Sequence, residues 1–429
     1  MITSLRLIDF KNFADETLRV GPFTVIVGAN ASGKSNIRDA FRFLHGIGRG
    51  YTLAEILGGK FGNRRQEEWE RIRGGHQIAR HGKASFRLEL VMSLEGDDVN
   101  YAIEVASEPA FRGAYHVTGE ELSIRSREIF KSVGKTRSDL ADEAVFDPFT
   151  VGAPSPLLVR VAPIDDKDTE TRISVKRAAP VLTQIPKRKA VAEVHRDRAE
   201  QVLDILGNMR FLELDPYMMR QPVLPSQTTL TDSGANLPAV LRAICADRQR
   251  KRTLMGWIRG LTPTDVQDFE FPVDAINGRV QLVVREEDER RFAADSTSDG
   301  TLRFLGLLAA MFGVTPASLY FFEDIDDGLH PSRLRLLLEL LERETGRCPI
   351  QVVTTTHSPD LLAQANDRTF EDMSLVCRRE DSANTVIRPV TKLPNAGRLR
   401  RSQGLGRLHA TGWMEDMIAF EGDDEAAAE

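Results

Sequence analysis

The stretch GANASGKS at residues 28–35 matches the pattern G-x-x-x-x-G-K-[ST] and decides the fold of this chain. An apolar run of strand type, residues 23–27, precedes it, and a helical pattern follows with Ile37, Phe41 and Leu44 on one face. A glycine-rich turn between a strand and a helix directs backbone N–H groups and the positive end of the helix dipole at one point. The stretch therefore predicts a P-loop that holds a polyphosphate.

Two side chains of this loop carry specific chemistry. Lys34 is placed to reach the β- and γ-phosphates of a nucleotide, and the Ser35 hydroxyl is placed to join the shell of a Mg²⁺ ion. The alternative is an ordinary glycine turn. A strand before the loop and a helix after it favour the P-loop.

Length and composition limit the number of domains, the compartment and the kinds of partner. A chain of 429 residues predicts two or three domains, and the net charge of −6 gives no overall basic field that would attract nucleic acid. The three cysteines are few and widely spaced, which fits a reducing compartment and predicts no metal cluster. The N-terminus does not resemble a secretory signal, and no apolar run reaches the length of a membrane-spanning helix. We expect a cytoplasmic protein that does not contact a membrane.

A second cluster of polar residues follows two predicted strands far downstream. The apolar run 319–322 ends in Glu323 and Asp324, and the run 350–353 leads into a threonine-rich turn that ends at His357. A leucine stripe between them predicts a helix, so the segment reads as a β-α-β unit. Because neighbouring parallel strands end at the same sheet edge, we expect these polar tips to meet the P-loop.

Taken together, these motifs resemble those of ABC-type P-loop ATPases of the RecF/SMC/OLD-like group. GANASGKSN (28–36) resembles their Walker A motif, SDGT (298–301) their signature, FEDIDDGLHP (322–331) their Walker B and D-loop, and TTHSP (355–359) their switch-histidine loop. The opening residues 5–13 and the segment 233–238 are also similar to elements of this group. The resemblance covers roughly the first 45 residues and positions 295–360, and it implies an α/β fold.

The resemblance implies a role for each matching residue. The catalytic residues would be Lys34, Asp324 as the base that polarises water, and His357 as the γ-phosphate sensor. Mg²⁺ would be held by Ser35 and Glu323. The residues that would bind ATP are Gly28, Asn30, Gly33, Lys34, Ser35 and Asn36, together with Ser298 and Gly300 from the opposite subunit.

Sharing a site in this way implies a homodimer or a higher even-numbered assembly of heads.

Two departures from the family pattern stand out. The base position holds Asp324 rather than the more frequent Glu, which predicts slow hydrolysis because a shorter side chain can misplace the water. Ile325 replaces the usual proline after the two acids. Gln77 is a candidate for the Q-loop glutamine, with a surface loop as the alternative.

The predicted architecture is an ABC-type ATPase head, with a mixed sheet and an antiparallel β lobe, that carries a compact and mainly helical insertion. We assign residues 1–130 to the N-terminal lobe with the P-loop, 131–265 to the insertion, 266–420 to the C-terminal lobe, and 421–429 to an acidic disordered tail. Hairpins are predicted around residues 96–98 and at Asn277-Gly278. No heptad pattern is sustained, which argues against a long coiled-coil arm.

Some features leave two interpretations open. Basic runs at residues 187–189, 248–252 and 398–401 are either solvated faces or DNA-binding sites. The apolar cluster at residues 413–420 either docks a partner or packs on the head.

The resemblance supports two biological roles. One is an OLD-like ATPase of an antiviral defence system, which controls a separate effector such as a nuclease or toxin. The other is a RecF-like ATPase of DNA repair that binds duplex DNA. A transporter subunit is disfavoured by the SDGT signature and by the long insertion.

Overall fold

The computed structural model of this protein describes residues 1–62, 67–75, 78–79, 83–107, 115–133, 156–164, 169–261, 266–286, 290–379 and 384–418. The chain forms two compact units, each built from separate stretches of sequence. The first comprises Met1–Gly21, Asn30–Met209 and Val376–Arg388, and the second comprises Pro22–Ala29, Arg210–Leu375 and Pro389–Glu429. Gln77, the Q-loop candidate, and the predicted acidic tail lie outside the described residues.

The strands are β1 (Ile2–Phe10), β2 (Phe13–Arg19), β3 (Phe23–Val27), β4 (Lys60–Phe61), β5 (Glu67–Trp69), β6 (Ser85–Leu94), β7 (Asp97–Ser107), β8 (Tyr115–Ile124), β9 (Arg127–Val133), β10 (Leu157–Val161), β11 (Thr171–Val175), β12 (Met209–Leu212), β13 (Val266–Glu270), β14 (Val283–Glu286), β15 (Arg291–Ala293), β16 (Leu319–Phe322), β17 (Gln351–Thr356), β18 (Met373–Arg378) and β19 (Thr385–Pro389). The α-helices are α1 (Lys34–Gly48), α2 (Leu53–Gly58), α3 (Val181–Gln184), α4 (Glu193–Gly207), α5 (Pro216–Met219), α6 (Leu237–Ala246), α7 (Arg248–Leu261), α8 (Asp299–Met311), α9 (Pro331–Thr345), α10 (Pro359–Ala363), α11 (Asp367–Glu371), α12 (Ala396–Gln403) and α13 (Leu405–Ala410).

An antiparallel sheet dominates the first unit. Its strands run in the order β11-β10-β9-β8-β7-β6-β1-β2, and β19 pairs with β2 in parallel. Alternate residues of β6 are buried, as expected for a strand with one face on a core and one in solvent. Phe10, Phe43 and Phe86 meet edge to face in that core. The predicted hairpin around residues 96–98 is confirmed, because β6 pairs with β7 from Ser85 to Leu94.

The solvent face of this sheet carries ion pairs, most of which join neighbouring strands. Arg6 of β1 pairs with Asp15 and Glu89, and Arg87 of β6 pairs with Glu89 and Glu121. The pattern continues on β9 to β11, where Lys131, Arg160 and Arg172 meet Glu121, Glu128 and Glu170. The basic residues of this face are therefore balanced by neighbouring carboxylates.

The P-loop helix α1 is held at its far end by α4. A Cβ added to Gly48 would lie 2.1 Å from the backbone nitrogen of Gly207, and one added to Gly207 would lie 2.9 Å from the carbonyl oxygen of Gly48. His45 Nδ1 lies 2.9 Å from the carbonyl oxygen of Leu206 at the same crossing. The two helices therefore approach backbone to backbone, which glycine alone permits here.

The parallel strands β18, β3, β17 and β16 form the centre of the second unit, in that order, and β12 lies next to β16. β3, β16 and β17 are buried along their whole length, as expected for strands covered on both faces. β17 pairs in parallel with both β3 and β16, and the predicted β-α-β unit is confirmed as β16, α9 and β17. The register sets Thr356 beside Val27, so the carboxyl ends of β3 and β17 lie at one edge.

A small antiparallel sheet, β13-β14-β15, also belongs to the second unit. β13 pairs with β14, with Phe269 opposite Val284, which confirms the predicted second hairpin. Its turn is held by the Asp274 carboxylate, which accepts the N–H groups of Ile276 and Asn277. Gly278 occupies the left-handed region with φ of 68°.

The segment predicted as a mainly helical insertion, residues 131–265, contains helices α3 to α7 but also the strands β10, β11 and β12. β10 and β11 extend the antiparallel sheet of the first unit. The longest described helices, α1, α4 and α9, have 15 residues each. Among the described residues, no helix combines the length and the apolar character needed to cross a membrane.

Two members of the apolar cluster at residues 413–420 pack on their own unit, while residues 419–420 lie outside the described residues. Met414 and Ile418 are 0% and 2% exposed, so these side chains are not presented to a partner. Of the two interpretations left open by the sequence, packing on the head accounts for both residues.

Candidate functional site

The predicted P-loop has the expected strand–turn–helix context. β3 ends at Val27 and α1 begins at Lys34. Within the turn, Ala31 and Gly33 take positive φ angles of 64° and 113°. Such a backbone turns successive N–H groups inward and forms a concavity that binds anions. The N-cap of α1 is Gly33, which supplies no side-chain hydrogen bond to the first N–H groups of the helix.

Side chains of the loop also fit a phosphate. The Ser32 hydroxyl is buried and has no hydrogen-bond partner among the described residues, so a polar ligand in the loop would satisfy it. Lys34 is 9% exposed and lies in the first turn of α1. Its ammonium adds a positive charge to the N-terminal end of α1, where an anion is favoured. The loop is therefore chemically prepared for a polyphosphate.

A hydrogen-bonded clasp surrounds the loop in the first unit. Asn12, from the turn between β1 and β2, donates to Thr385 Oγ1 at 2.5 Å and accepts from Asn36 Nδ2 at 2.7 Å. Thr385, the first residue of β19, donates its hydroxyl to the carbonyl oxygen of Ser32 at 2.9 Å. The backbone N–H of Thr385 in turn donates to the carbonyl oxygen of Asn12 at 2.9 Å.

This clasp also explains why residue 33 must be glycine. A Cβ at Gly33 would lie 2.5 Å from Asn12 Nδ2 and 3.3 Å from Thr385 Oγ1, and its φ of 113° is unfavourable for other residues. The sequence patterns did not single out Asn12 or Thr385 as site residues. Thr385 is distant in sequence from the P-loop, so no local motif could have indicated it.

The two predicted acids follow β16 in the second unit. Asp324 has φ of 44°, a strained conformation for a residue with a side chain, and its N–H donates to Thr355 Oγ1 at 3.0 Å. His357 Nδ1 lies 3.3 Å from Asp324 Oδ1. The structure thus brings together the predicted base and the predicted switch histidine, at the carboxyl ends of neighbouring parallel strands.

Asp326, two residues further on, also belongs to this cluster, although the sequence motifs gave it no role. It accepts a hydrogen bond from Thr356 Oγ1 at 2.9 Å, and Thr356 Oγ1 accepts the N–H of Ser358. Burial raises the pKa of the Asp326 carboxyl above its usual value, against the opposing effect of the Thr356 hydrogen bond. Asp326 therefore ties the segment after the Walker B strand to the turn that carries His357.

The signature segment begins helix α8. Ser298 is its exposed N-cap, and its Oγ accepts the N–H of Thr301 at 3.3 Å. Gly300 is buried against the D-loop of the same chain, since a Cβ there would lie 2.2 Å from the carbonyl oxygen of Gly328. Arg303 of the same helix pairs with Asp327 of the D-loop. The signature helix and the D-loop are thus packed together within one unit.

A magnesium site of the expected kind needs hard oxygen ligands. The hydroxyl of Ser35 and the carboxylate of Glu323 are oxygen donors of this type, and each suits Mg²⁺. Within the described residues, no group of three or more His, Cys, Asp or Glu side chains is placed to hold a metal ion.

A family model matches residues 23–193 and 246–363, which together make up more than half of the chain, and its description is "AAA domain, putative AbiEii toxin, Type IV TA system". The chain belongs to this family. The match includes the P-loop, the signature and the Walker B and switch-histidine segments of this AAA-domain protein. It confirms the expected P-loop ATPase, and the two sheets confirm the expected α/β class with its mixed sheet and antiparallel lobe.

The AAA-domain protein is also similar in fold to solved SMC heads. They are an SMC head domain from Thermotoga maritima (16% identity, 91% of this chain and 98% of that chain, TM-score 0.42) and an SmcHead bound to the C-winged helix domain of ScpA (14%, 90% and 97%, 0.49). A third is the Smc head domain with an extended coiled coil bound to the C-terminal domain of ScpA from Pyrococcus furiosus (14%, 94% and 98%, 0.43). No curated protein matches the chain.

Proposed function

We propose that this protein binds ATP and Mg²⁺, dimerises through its ATP-bound heads, hydrolyses ATP slowly and controls a separate effector in antiviral defence. In this proposal Gly28, Asn30, Gly33, Lys34, Ser35 and Asn36 bind the nucleotide, while Ser35 and Glu323 hold the metal ion. Asp324 orients the attacking water and His357 senses the γ-phosphate.

The conformation of the P-loop and the environment of its side chains are the observations that support ATP binding. Its backbone is already turned for an anion at Ala31 and Gly33, and a buried hydroxyl on Ser32 lacks a partner among the described residues. Lys34, in the first turn of α1, adds a positive charge beside the loop. Polyphosphate binding accounts for all three features together.

Slow hydrolysis is supported by the second cluster. Asp324 is within reach of His357, but its carboxylate is one methylene shorter than that of the more usual glutamate. A general base must come within hydrogen-bond distance of its water, and an error of ~1 Å can cost about two orders of magnitude in rate. A slow ATPase keeps its ATP-bound state long enough to act as a switch.

Dimerisation through the nucleotide is supported by the exposed N-terminus of α8. Ser298 stands at the start of a 13-residue helix, where N–H groups and the helix dipole favour a phosphate. In the proposed dimer, this end of one head completes the site of the other. Gly300 contributes by letting the helix pack closely on the D-loop.

The role in defence is supported by the family description, which names a toxin of a Type IV TA system. In this proposal the protein acts in the cytoplasm, as a dimer or a higher even-numbered assembly, on an effector such as a nuclease or toxin. Co-expression with the products of neighbouring genes should give a complex that survives size-exclusion chromatography. The purified protein alone should show weak ATPase activity and no cleavage of DNA or RNA.

The decisive experiment is a calorimetric titration with ATP and Mg²⁺. Lys34→Ala should weaken ATP binding severely and abolish hydrolysis, because it removes the positively charged side chain that would contact the transferred phosphate. Lys189→Ala, at an exposed lysine of the first unit, is the matched control and should bind like the wild type. An unchanged ATP affinity in Lys34→Ala would overturn the proposed function.

A further inference from the structure

A cavity lies between the small sheet β13-β14-β15 and the helices α7 and α8 of the second unit, and its volume is about 250 Å³. Apolar cavities of about 150 Å³ bind benzene, so this one has room for an aromatic ring with a short alkyl arm. The apolar part of its wall consists of Ile258, Val266, Phe269, Val284, Phe292 and Leu305.

The sheet supplies one continuous apolar row of this wall. Phe269 of β13, Val284 of β14 and Phe292 of β15 lie directly opposite one another in the antiparallel register. Directly opposite residues point to the same face of a sheet, so the three side chains project together toward the cavity. The buried residues Ile258 of α7 and Leu305 of α8 complete the apolar wall.

One acid stands on the same face of the sheet. Glu286 follows Val284 by two positions in β14 and lies opposite Val266 of β13. Because alternate residues of a strand share a face, the Glu286 side chain lies on the cavity side, where it is 16% exposed. A carboxylate that is largely withdrawn from water beside apolar side chains is unfavourable unless a cation or a hydrogen-bond donor meets it.

The outer face of this sheet carries its ion pairs within the sheet itself. Glu270 pairs with Arg285 at 3.9 Å and with Arg291 at 3.4 Å. Glu286 instead pairs with Arg290 at 3.4 Å, and the Arg290 side chain is 66% exposed. Ion pairs made by exposed side chains contribute little to stability, so a cation in the cavity can compete with Arg290 for Glu286.

Hydroxyl groups line the entrance of the cavity. Ser296 and Ser298 are exposed, and Thr301 is half-buried. The start of α8 lies here and favours an anion, whereas Glu286 favours a cation. A carboxylate carries a full charge and a helix end only about half of one, so we expect the cation to be preferred. Among the described residues that line the cavity, Glu286 is the only charged one.

We propose that this cavity binds a small molecule that has an apolar body, such as an aromatic ring, and one protonated amine. The apolar body packs against Phe269, Val284 and Phe292, and the ammonium donates a hydrogen bond to the carboxylate of Glu286. Few polar groups in an apolar pocket fix the orientation of a ligand in this way. The proposal does not depend on ATP binding and is tested without nucleotide.

Calorimetric titrations of the full chain with phenethylamine and phenethyl alcohol at pH 7 test the recognition of charge. The two probes have nearly the same shape, and only the amine is protonated. A hydrogen bond between charged groups is strong enough for at least about a tenfold preference for the amine. Equal affinities for the two probes, or no binding of phenethylamine up to millimolar concentration, would overturn the proposal.

Glu286→Gln should abolish this preference, because the amide has a similar shape and no charge. Glu270→Gln is the matched control, since it removes a carboxylate from the outer face of the same sheet, and it should retain the wild-type preference. Arg290→Gln should tighten binding of the amine, because it removes the cation that competes for Glu286. Equal losses in Glu286→Gln and Glu270→Gln would overturn the role of Glu286.

Val284→Phe tests the position of the apolar body. The larger side chain should occupy the cavity and abolish binding of phenethylamine, while circular dichroism shows whether the variant is folded. Unchanged binding in a folded variant would overturn the assignment to this cavity. If the variant does not fold, the comparison of Glu286→Gln with Glu270→Gln still decides.

Phenylacetate distinguishes the two ends of the cavity. It has an apolar ring like phenethylamine but carries a negative charge. If phenylacetate binds the wild type more tightly than phenethylamine does, the start of α8 selects the ligand, and the assignment to an amine is overturned. Weaker binding of phenylacetate than of either other probe is the expected result, because Glu286 repels it.

Discussion

Asp324 and His357 meet at the carboxyl ends of two neighbouring parallel strands, with His357 Nδ1 3.3 Å from Asp324 Oδ1. Both side chains are about half exposed, at 44% and 50%, and so remain accessible to a ligand. Asp324 takes this position with a positive φ, which is stabilised by the hydrogen bond from its N–H to Thr355. Backbone strain of this kind persists where surrounding structure enforces it, frequently at functional sites.

Asp324→Asn should retain ATP and Mg²⁺ binding but reduce hydrolysis by about 10²- to 10⁴-fold, because the amide is a poor base. Equilibrium binding of ATP and steady-state phosphate release measure the two effects separately. Glu323→Gln is the informative comparison and should impair metal-dependent binding itself. Reversed phenotypes would mean that the two acids have exchanged roles.

Thr385→Val should weaken ATP binding because it removes the hydroxyl that joins Asn12 to the carbonyl oxygen of Ser32. The two lost hydrogen bonds are worth about 1 kcal/mol each, so we expect up to roughly a thirtyfold increase in Kd for ATP. Thr385→Ser keeps the hydroxyl and should restore most of the affinity. Calorimetry gives the Kd values, and equal defects in Val and Ser would contradict a role for the hydroxyl.

Gly300→Ala should destabilise the second unit and slow ATP hydrolysis, because the new Cβ would overlap the carbonyl oxygen of Gly328. Overpacking of this kind costs about 1–3 kcal/mol. Gly256→Ala in α7 is the control, since a Cβ there meets no atom within 4 Å and alanine favours a helix by up to about 1 kcal/mol. Thermal unfolding should therefore move in opposite directions in the two variants.

Ser298→Arg should leave ATP binding to a single head nearly intact but block hydrolysis, if Ser298 acts on the opposite subunit. Mixing this variant with Lys34→Ala should restore part of the activity, because each mixed dimer retains one site with both elements intact. Phosphate release at several mixing ratios measures the recovery. The absence of recovery in confirmed mixed dimers would argue against a site shared between subunits.

Glu120 should make the stability of the first unit depend on pH. Burial raises the pKa of this carboxyl from 4.5 to about 7, although it accepts the N–H groups of Val181 and Leu182 and the Tyr101 hydroxyl. Because the folded pKa lies above the unfolded one, the contribution of Glu120 is fully present below pH 4.5 and is lost as the pH rises through about 7. The lost contribution is about 3 kcal/mol, at about 1.4 kcal/mol per unit.

Thermal midpoints measured from pH 4.5 to 7.5 test this dependence. Glu120→Gln cannot titrate, so its midpoint should fall less over this range than that of the wild type. Glu200→Gln, at an exposed position of α4, should follow the wild-type curve. Parallel curves for the wild type and Glu120→Gln would contradict the assignment.

The elements that the sequence patterns predicted correctly are those indicated by residues close together in the sequence. The buried run at residues 23–27 and the acids after residue 322 were found because a covered parallel strand is continuously apolar and ends abruptly in polar residues. The hairpin at Asn277-Gly278 was found because few dipeptides favour its turn. Each of these signals lies within about ten neighbouring residues.

Non-local relationships could not be found in this way. β10 and β11 fall within the segment predicted as a mainly helical insertion, although the burial of Leu157–Val161 alternates. Arg160 of β10 pairs with Glu128 of β9, a partner that the local sequence does not indicate. The partnership of Thr385 with Asn12 depends on the pairing of β19 with β2. Such contacts are set by topology, and one sequence without relatives does not contain that information.

The close crossing at Gly48 and Gly207 gives α1 the behaviour of a lever. A 15-residue helix spans roughly 22 Å, so the lysine at one end and the glycine at the other move as one rigid rod. A side chain at either glycine would push the C-terminal end of α1 away from α4, and the N-terminal end of α1, which carries Lys34, would tilt with it. The orientation of the phosphate-binding turn therefore depends on a contact at the opposite end of helix α1.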